Sequence, residues 1–185
     1  MKRVLSSKKS MDRGIEANFN TLSHCKKLIA IILFILLIIL LIPVKVLLAS
    51  NYKTGEHLKS WPIKTGEEFD IEYTHSVQLT PVIEIYTVDN KENIILKEGY
   101  FFSYGAGLPA TTPYDFEITE DGFRVYNINQ IMDNLIYRTG AVKANHKLTI
   151  RGKTYLFLNF SAPREGVKFT VENISLLSYL LEGVK

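Results

Sequence analysis

The residues of this chain that could do chemistry gather in two short stretches near its middle. Residues 69–77 (FDIEYTHSV) and 82–88 (VIEIYTV) each alternate apolar and polar side chains, and Gln78, Leu79, Thr80 and Pro81 connect them. A hairpin pairing Val77 with Val82 sets His75 opposite Glu84 and Tyr73 opposite Tyr86. Alternation then gathers Phe69, Ile71, Tyr73, His75 and Val77 on one face with Val82, Glu84, Tyr86 and Val88. That face is apolar except for one His–Glu pair at its loop end. A carboxylate favours the imidazolium, while burial opposes charging it. Such a pair can orient a ligand, move a proton or begin a metal site. It can equally be a polar pair that only fixes the hairpin register, and one bulge would send His75 to the other face.

The second stretch is Ser103-Tyr104-Gly105-Ala106-Gly107-Leu108-Pro109. Two glycines after a strand permit positive φ and close backbone approach, so successive amides can point at an anion. The same pattern also serves as a tight turn. No GK[ST] follows, which excludes a nucleotide phosphate loop, and no helical pattern follows, which excludes a dinucleotide fingerprint. The candidate binding set is therefore His75, Ser76, Glu84, Gly105, Ala106, Gly107 and Pro109.

Other chemistries find little footing. Ser76 and His75 are strand neighbours and point to opposite faces, and there is no G-x-S-x-G elbow. His146, in Ala-Asn-His-Lys, is expected in an exposed turn; His57 falls in a linker and His24 in the leader. No metal-ligand spacing is present, and no cofactor is predicted. Cys25 is the one cysteine, so residues 66–185 have neither a disulfide nor a thiolate site.

The elements that must position these residues read as β structure. Short runs rich in Tyr, Phe, Ile, Val and Thr are separated by turn residues. Beyond the first hairpin, strands are predicted over residues 93–103, 116–119, 123–127, 135–138, 147–150, 154–160 and 167–171. Asp121-Gly122 and Arg151-Gly152 mark tight hairpins. Residues 174–181 read as a short closing helix or an edge strand. About nine strands predict an all-β domain over residues 66–185, an antiparallel sandwich or partly open barrel.

The N-terminus differs. Residues 28–42 (LIAIILFILLIILLI) are fifteen uncharged apolar side chains, and after Pro43 apolar character resumes to Ala49, broken by Lys45. A membrane-crossing helix needs roughly 20 such residues, so residues 28–49 suffice if Lys45 snorkels. Seven Lys or Arg precede Leu28. Cytoplasmic flanks carry such an excess, so residues 1–27 are predicted to be a cytoplasmic leader. Residues 50–65 then form a linker, and the β domain lies outside a cell membrane crossed once. A cleaved signal peptide is the alternative reading of the same run. Residues 1–50 carry a net +6 and the remainder −3. The β domain thus shows no basic excess, which argues against a nucleic-acid partner.

The ordered series Tyr73-Thr74-His75-Ser76-Val77, Thr80-Pro81-Val82-x-Glu84-x-Tyr86 and Phe102-x-x-Gly105-Ala106-Gly107-Leu108-Pro109 resembles the domain-of-unknown-function 1850 family over roughly residues 66–172. The resemblance implies a small exported or membrane-anchored protein, often encoded beside tripartite ATP-independent periplasmic (TRAP) transporters whose solute receptor is of the TAXI class. The implied partner is a TRAP membrane subunit or its solute receptor. The family brings no catalytic residues, so the favoured expectation is a non-enzymatic accessory or binding domain. The alternative is an extracytoplasmic hydrolase with His75 as general base oriented by Glu84; it lacks a nucleophile or metal set to accompany the pair.

Overall fold

The computed structural model describes residues 26–103, 112–141 and 143–182. A helix, α1, covers residues 26–40, and twelve strands follow: β1 (Pro43–Asn51), β2 (His57–Pro62), β3 (Glu68–Thr74), β4 (Pro81–Val88), β5 (Ile94–Phe101), β6 (Asp115–Ile118), β7 (Phe123–Tyr126), β8 (Gln130–Ile131), β9 (Leu135–Arg138), β10 (Lys147–Ile150), β11 (Lys153–Leu156) and β12 (Gly166–Ser175). A second helix, α2 (Leu176–Glu182), closes the described chain. The expected all-β class is correct for the domain. The strand count exceeds the expected nine because β1, β2 and the two-residue β8 were not foreseen.

The chain divides into two units. One holds α1, with residues 175–178, and the other holds residues 44–174 and 179–185. Within the first, the Leu176 amide donates to the Ile42 carbonyl at 2.9 Å. All residues from 26 to 39 are exposed on every side of α1. The fifteen described residues of α1 are roughly 22 Å long. No helix among the described residues is long and apolar enough to cross a membrane.

The predicted span of residues 28–49 is corrected by strand β1. Helix α1 ends at residue 40, and the second half of the apolar run is extended and interior. Val46, Leu47 and Ala49 are 0% exposed and Leu48 8%. Strand β1 has a neighbour on each side in a four-stranded sheet of order β2-β1-β12-β9. Its side chains are buried on both faces, so it reads as a continuous apolar run instead of an alternating one. The expected linker of residues 50–65 likewise contains β2, and Trp61 in it is 4% exposed.

The second sheet has the order β11-β10-β3-β4-β5-β7-β6, with β8 paired to β5. Leu47, Ala49, Trp61, Val167, Phe169 and Val171 from the first sheet share one core with Phe69, Ile71, Tyr86, Val88, Leu148 and Ile150 from the second. Two elements shape the site. In the β4–β5 ladder, Ile85 pairs with Glu98 but Tyr86 with Leu96, so Lys97 is an extra residue on β5. Such a bulge re-aims the side chains around it and places Leu96 on the same face as Gly99 and Phe101. The β10–β11 turn has Arg151 at φ 52° and Gly152 at φ 68°, the two left-handed residues of a tight hairpin. Residues 176–181 form the expected closing helix, α2, whereas 174 and 175 end β12, which has a neighbour on each side and is not the expected edge strand.

The position of β1 gives a direct test. Leu47→Ala should destabilise the β domain by about 2–5 kcal/mol, the usual cost of emptying a buried leucine site, in chemical denaturation followed by far-ultraviolet circular dichroism. If residue 47 lay in a lipid-facing span, the midpoint would barely move.

Candidate functional site

Strands β3 and β4 form the expected hairpin in a different register. Tyr73 pairs with Val82, Ile71 with Glu84 and Phe69 with Tyr86. The shift is four residues, an even number, so the two faces keep the expected membership. It removes His75 from the ladder, however. Strand β3 ends at Thr74, and residues 75–80 form a wider turn than the four-residue connection expected. The His75 amide donates to the Thr80 carbonyl at 2.9 Å, and its own carbonyl accepts from Leu79 at 3.0 Å. Its ring faces the backbone, with Nδ1 accepting from the amides of Val77 and Gln78 at 3.4 and 3.3 Å. The expected His75–Glu84 pair is not formed, and the proposed general base and its orienter are apart. Ser76 is exposed in the same turn. Gly105, Ala106, Gly107 and Pro109 lie outside the described residues.

Glu84 has other partners. It sits on the core face of β4, between Val82 and Tyr86, in line with Gly99 of β5 and Val125 of β7. Tyr137, from β9 of the opposite sheet, donates its hydroxyl to Glu84 Oε2. The Tyr86 hydroxyl approaches the same oxygen at 3.3 Å and the Tyr137 hydroxyl at 2.6 Å. Burial holds the Glu84 carboxyl above the ordinary carboxylate range, against the downward pull of Tyr137 and then Tyr86. Tyr86 and Tyr137 are driven far above the usual phenol value, first by burial and then by the charges around them. Both therefore remain hydroxyl donors. Tyr73 is pushed up to about 12 by burial and then by the Glu84 charge.

Sequence reasoning missed His146 as a member of this cluster. Far from being exposed, it stacks on Tyr73 at 5.4 Å between ring centres, with Tyr137 at 5.8 Å and Phe157 at 5.3 Å. Its Nδ1 accepts from the Gly140 amide at 3.3 Å, and burial lowers its pKa below 6.5, favouring the neutral ring. The signal available was its place at the start of strand 147–150, after Asn145. Nothing in the local pattern revealed the aromatic neighbours, which come from β3, β9 and the turn after β11.

A cavity of about 330 Å³ opens beside Glu84. Leu96, Phe101, Pro113, Val125 and Ile128 give it apolar walls, with Gly99, Tyr114 and Gln130 completing much of the lining. Gly99 matters through what it lacks. A Cβ there would come within 3.0 Å of the Phe101 ring, so the bare backbone leaves room next to the carboxyl. Among the described residues, Oε1 of Glu84 has no hydrogen-bond partner, and Glu84 lines the cavity. Among the described residues the carboxyl has one oxygen fixed by two phenols and the other without a donor, able to accept from, or when protonated donate to, a ligand. Among the described residues, no group of three metal-binding side chains is gathered.

Residues 69–157 match the model of a family described as a domain of unknown function, DUF1850. The chain carries a DUF1850 domain. The matched segment runs from β3 to the turn after β11, so it includes Tyr73, Glu84, Tyr86, Tyr137 and His146, while β1, β2 and β12 lie outside it. No curated protein and no solved structure matches the chain. The DUF1850 segment supplies the eight-stranded sheet and β9, and the flanking residues supply the rest of the sheet that packs over it.

Two outcomes test this geometry. The folded domain protonates Glu84 at a pH where the unfolded chain, near 4.5, is still ionised. Glu84 therefore adds stability as pH falls through its folded value, and the gain is complete below the unfolded one. His146 acts oppositely, costing stability below 6.5, but it cancels in a comparison of wild type with Glu84→Gln. The Tm of wild type minus that of Glu84→Gln should rise between pH 7.5 and 4.5; a constant difference would contradict the raised pKa. His75→Ala should lower stability by less than ~1 kcal/mol, since its ring makes only long hydrogen bonds at the surface. A loss of several kcal/mol would mean the ring has a buried partner.

Proposed function

We propose that this protein is a non-enzymatic binding domain, held at a membrane by its N-terminal segment, that assists a TRAP-type solute transporter from the extracytoplasmic side. The observation that carries the binding role is the Glu84 carboxyl, half-buried, only half satisfied by donors among the described residues, and lining an apolar cavity. A buried ionisable group is a poor device for stability, and a displaced pKa in a cleft marks a functional candidate. About 330 Å³ lies at the small end of ligand pockets. The fitting ligand is a small organic molecule with an apolar body and one amine, amide or hydroxyl group that meets Glu84. The membrane role is supported by α1, whose apolar side chains are exposed all around, as suits a lipid or protein-lined apolar setting. The basic leader supports the orientation, and the family resemblance supports the transporter.

Purification of the tagged full-length chain from its own membrane, with partners identified by mass spectrometry, tests the accessory role. Recovery of a TRAP membrane subunit or its solute receptor is expected, and recovery of neither would sink that reading. Glu84→Gln should still co-purify with the partner but reduce solute uptake at least several-fold per folded molecule. Unchanged uptake would leave Glu84 with a structural role alone.

A further inference from the structure

The edge strands of the two sheets, β2 and β11, border a second groove of about 780 Å³, remote in strand order from Glu84. Lys59, Arg151 and Lys153 line it, with no carboxylate among the described residues of its lining. Arg151 is already engaged, forking onto Glu67 and donating to the Pro62 carbonyl at 2.8 Å. Lys59 and Lys153 have no acidic partner among the described residues. Both ammonium groups instead hang over one ring, Tyr155, at 5.8 and 5.3 Å from its centre. A ring face attracts a cation without neutralising it, so two positive charges are held at the groove with no counter-charge among the described residues. The remaining walls are unusually aromatic: Trp61 meets Tyr155 and Phe160 edge-on, each at 5.4 Å, and Tyr179 contributes from α2. Trp61 carries the further mark of a buried indole Nε1–H with no hydrogen-bond partner among the described residues.

We propose that this groove binds a small aromatic organic anion, its charge between Lys59 and Lys153 and its ring against the Tyr155–Trp61 wall. The volume fits one small molecule. Its charge balance selects an anion, unlike the Glu84 cavity, which selects a donor. Trp61 is the single tryptophan of the chain, so its fluorescence reports the groove directly. The full-length chain in nonionic detergent is titrated at constant ionic strength with phenylphosphonate, inorganic phosphate or benzyl alcohol. Phenylphosphonate should change the Trp61 emission saturably, inorganic phosphate should bind at least tenfold more weakly, and benzyl alcohol should give no saturable change. The double variant Lys59→Met, Lys153→Met should lose at least tenfold in phenylphosphonate affinity with its Tm unchanged. Single variants provide the same reading if the double one is unstable. The proposal is overturned by no saturable response to phenylphosphonate, by equal affinity in the variants, or by equal binding of phosphate or benzyl alcohol. A response to phosphatidylglycerol vesicles alone would also overturn it, replacing the small anion by a membrane surface.

Discussion

The hydrogen bond from Tyr137 to Glu84 is the constraint around which the rest of the β domain is arranged. It crosses from β9 of one sheet to β4 of the other, through an interior that otherwise has little to offer a carboxyl. A polar group placed there must be met by donors or it destabilises the fold. Tyr137 meets it only if its ring is held upright, and Tyr73, His146, Phe157 and Phe169 do so with centres between 5.8 and 6.4 Å. The aromatic cluster is thus the support of one polar contact as much as it is core. Tyr86 joins the same oxygen from within the strand and stacks on Phe69 at 5.3 Å, which ties the contact back to the β3–β4 ladder.

What could be read from the sequence follows from which physical signals are local. The membership of the β3 and β4 faces was legible because alternation survives any even slip of register. The register itself was not, because the connection after Thr74 contains hydrogen bonds from the turn amides to the His75 ring that no pattern announces. Turn residues with left-handed φ were legible at Arg151-Gly152. The partners of Glu84 were not, since Tyr137 is fifty-three residues away and its alignment depends on how two sheets pack. His146 was misjudged for the same reason: its turn neighbours are polar, and its burial comes from other elements.

The apolar N-terminal region illustrates a different ambiguity. Residues 28–42 and 44–49 look alike by composition, yet the first becomes helix and the second becomes a strand buried on both faces. Pro43 separates them. Proline disfavours α geometry in the residue before it and cannot supply a ladder amide, so it suits the first position of β1. Hydrophobicity alone does not distinguish a membrane-seeking helix from the innermost strand of a sheet, whereas a breaker between them does.

The bulge in β5 separates two requirements that usually travel together. Ile94 and Leu96 on one side of it, and Gly99 and Phe101 on the other, all face inward. Removing Lys97 would leave that inward set intact and straighten the ladder. Yet the Lys97 carbonyl is what the Ile128 amide bonds, at 3.2 Å, between two asparagines in left-handed conformation, and Ile128 is part of the cavity wall. A chain shortened by this one residue would keep its core pattern and lose the anchor of a wall. Length variation at this position in related chains would therefore separate those that retain the pocket from those that retain only the scaffold.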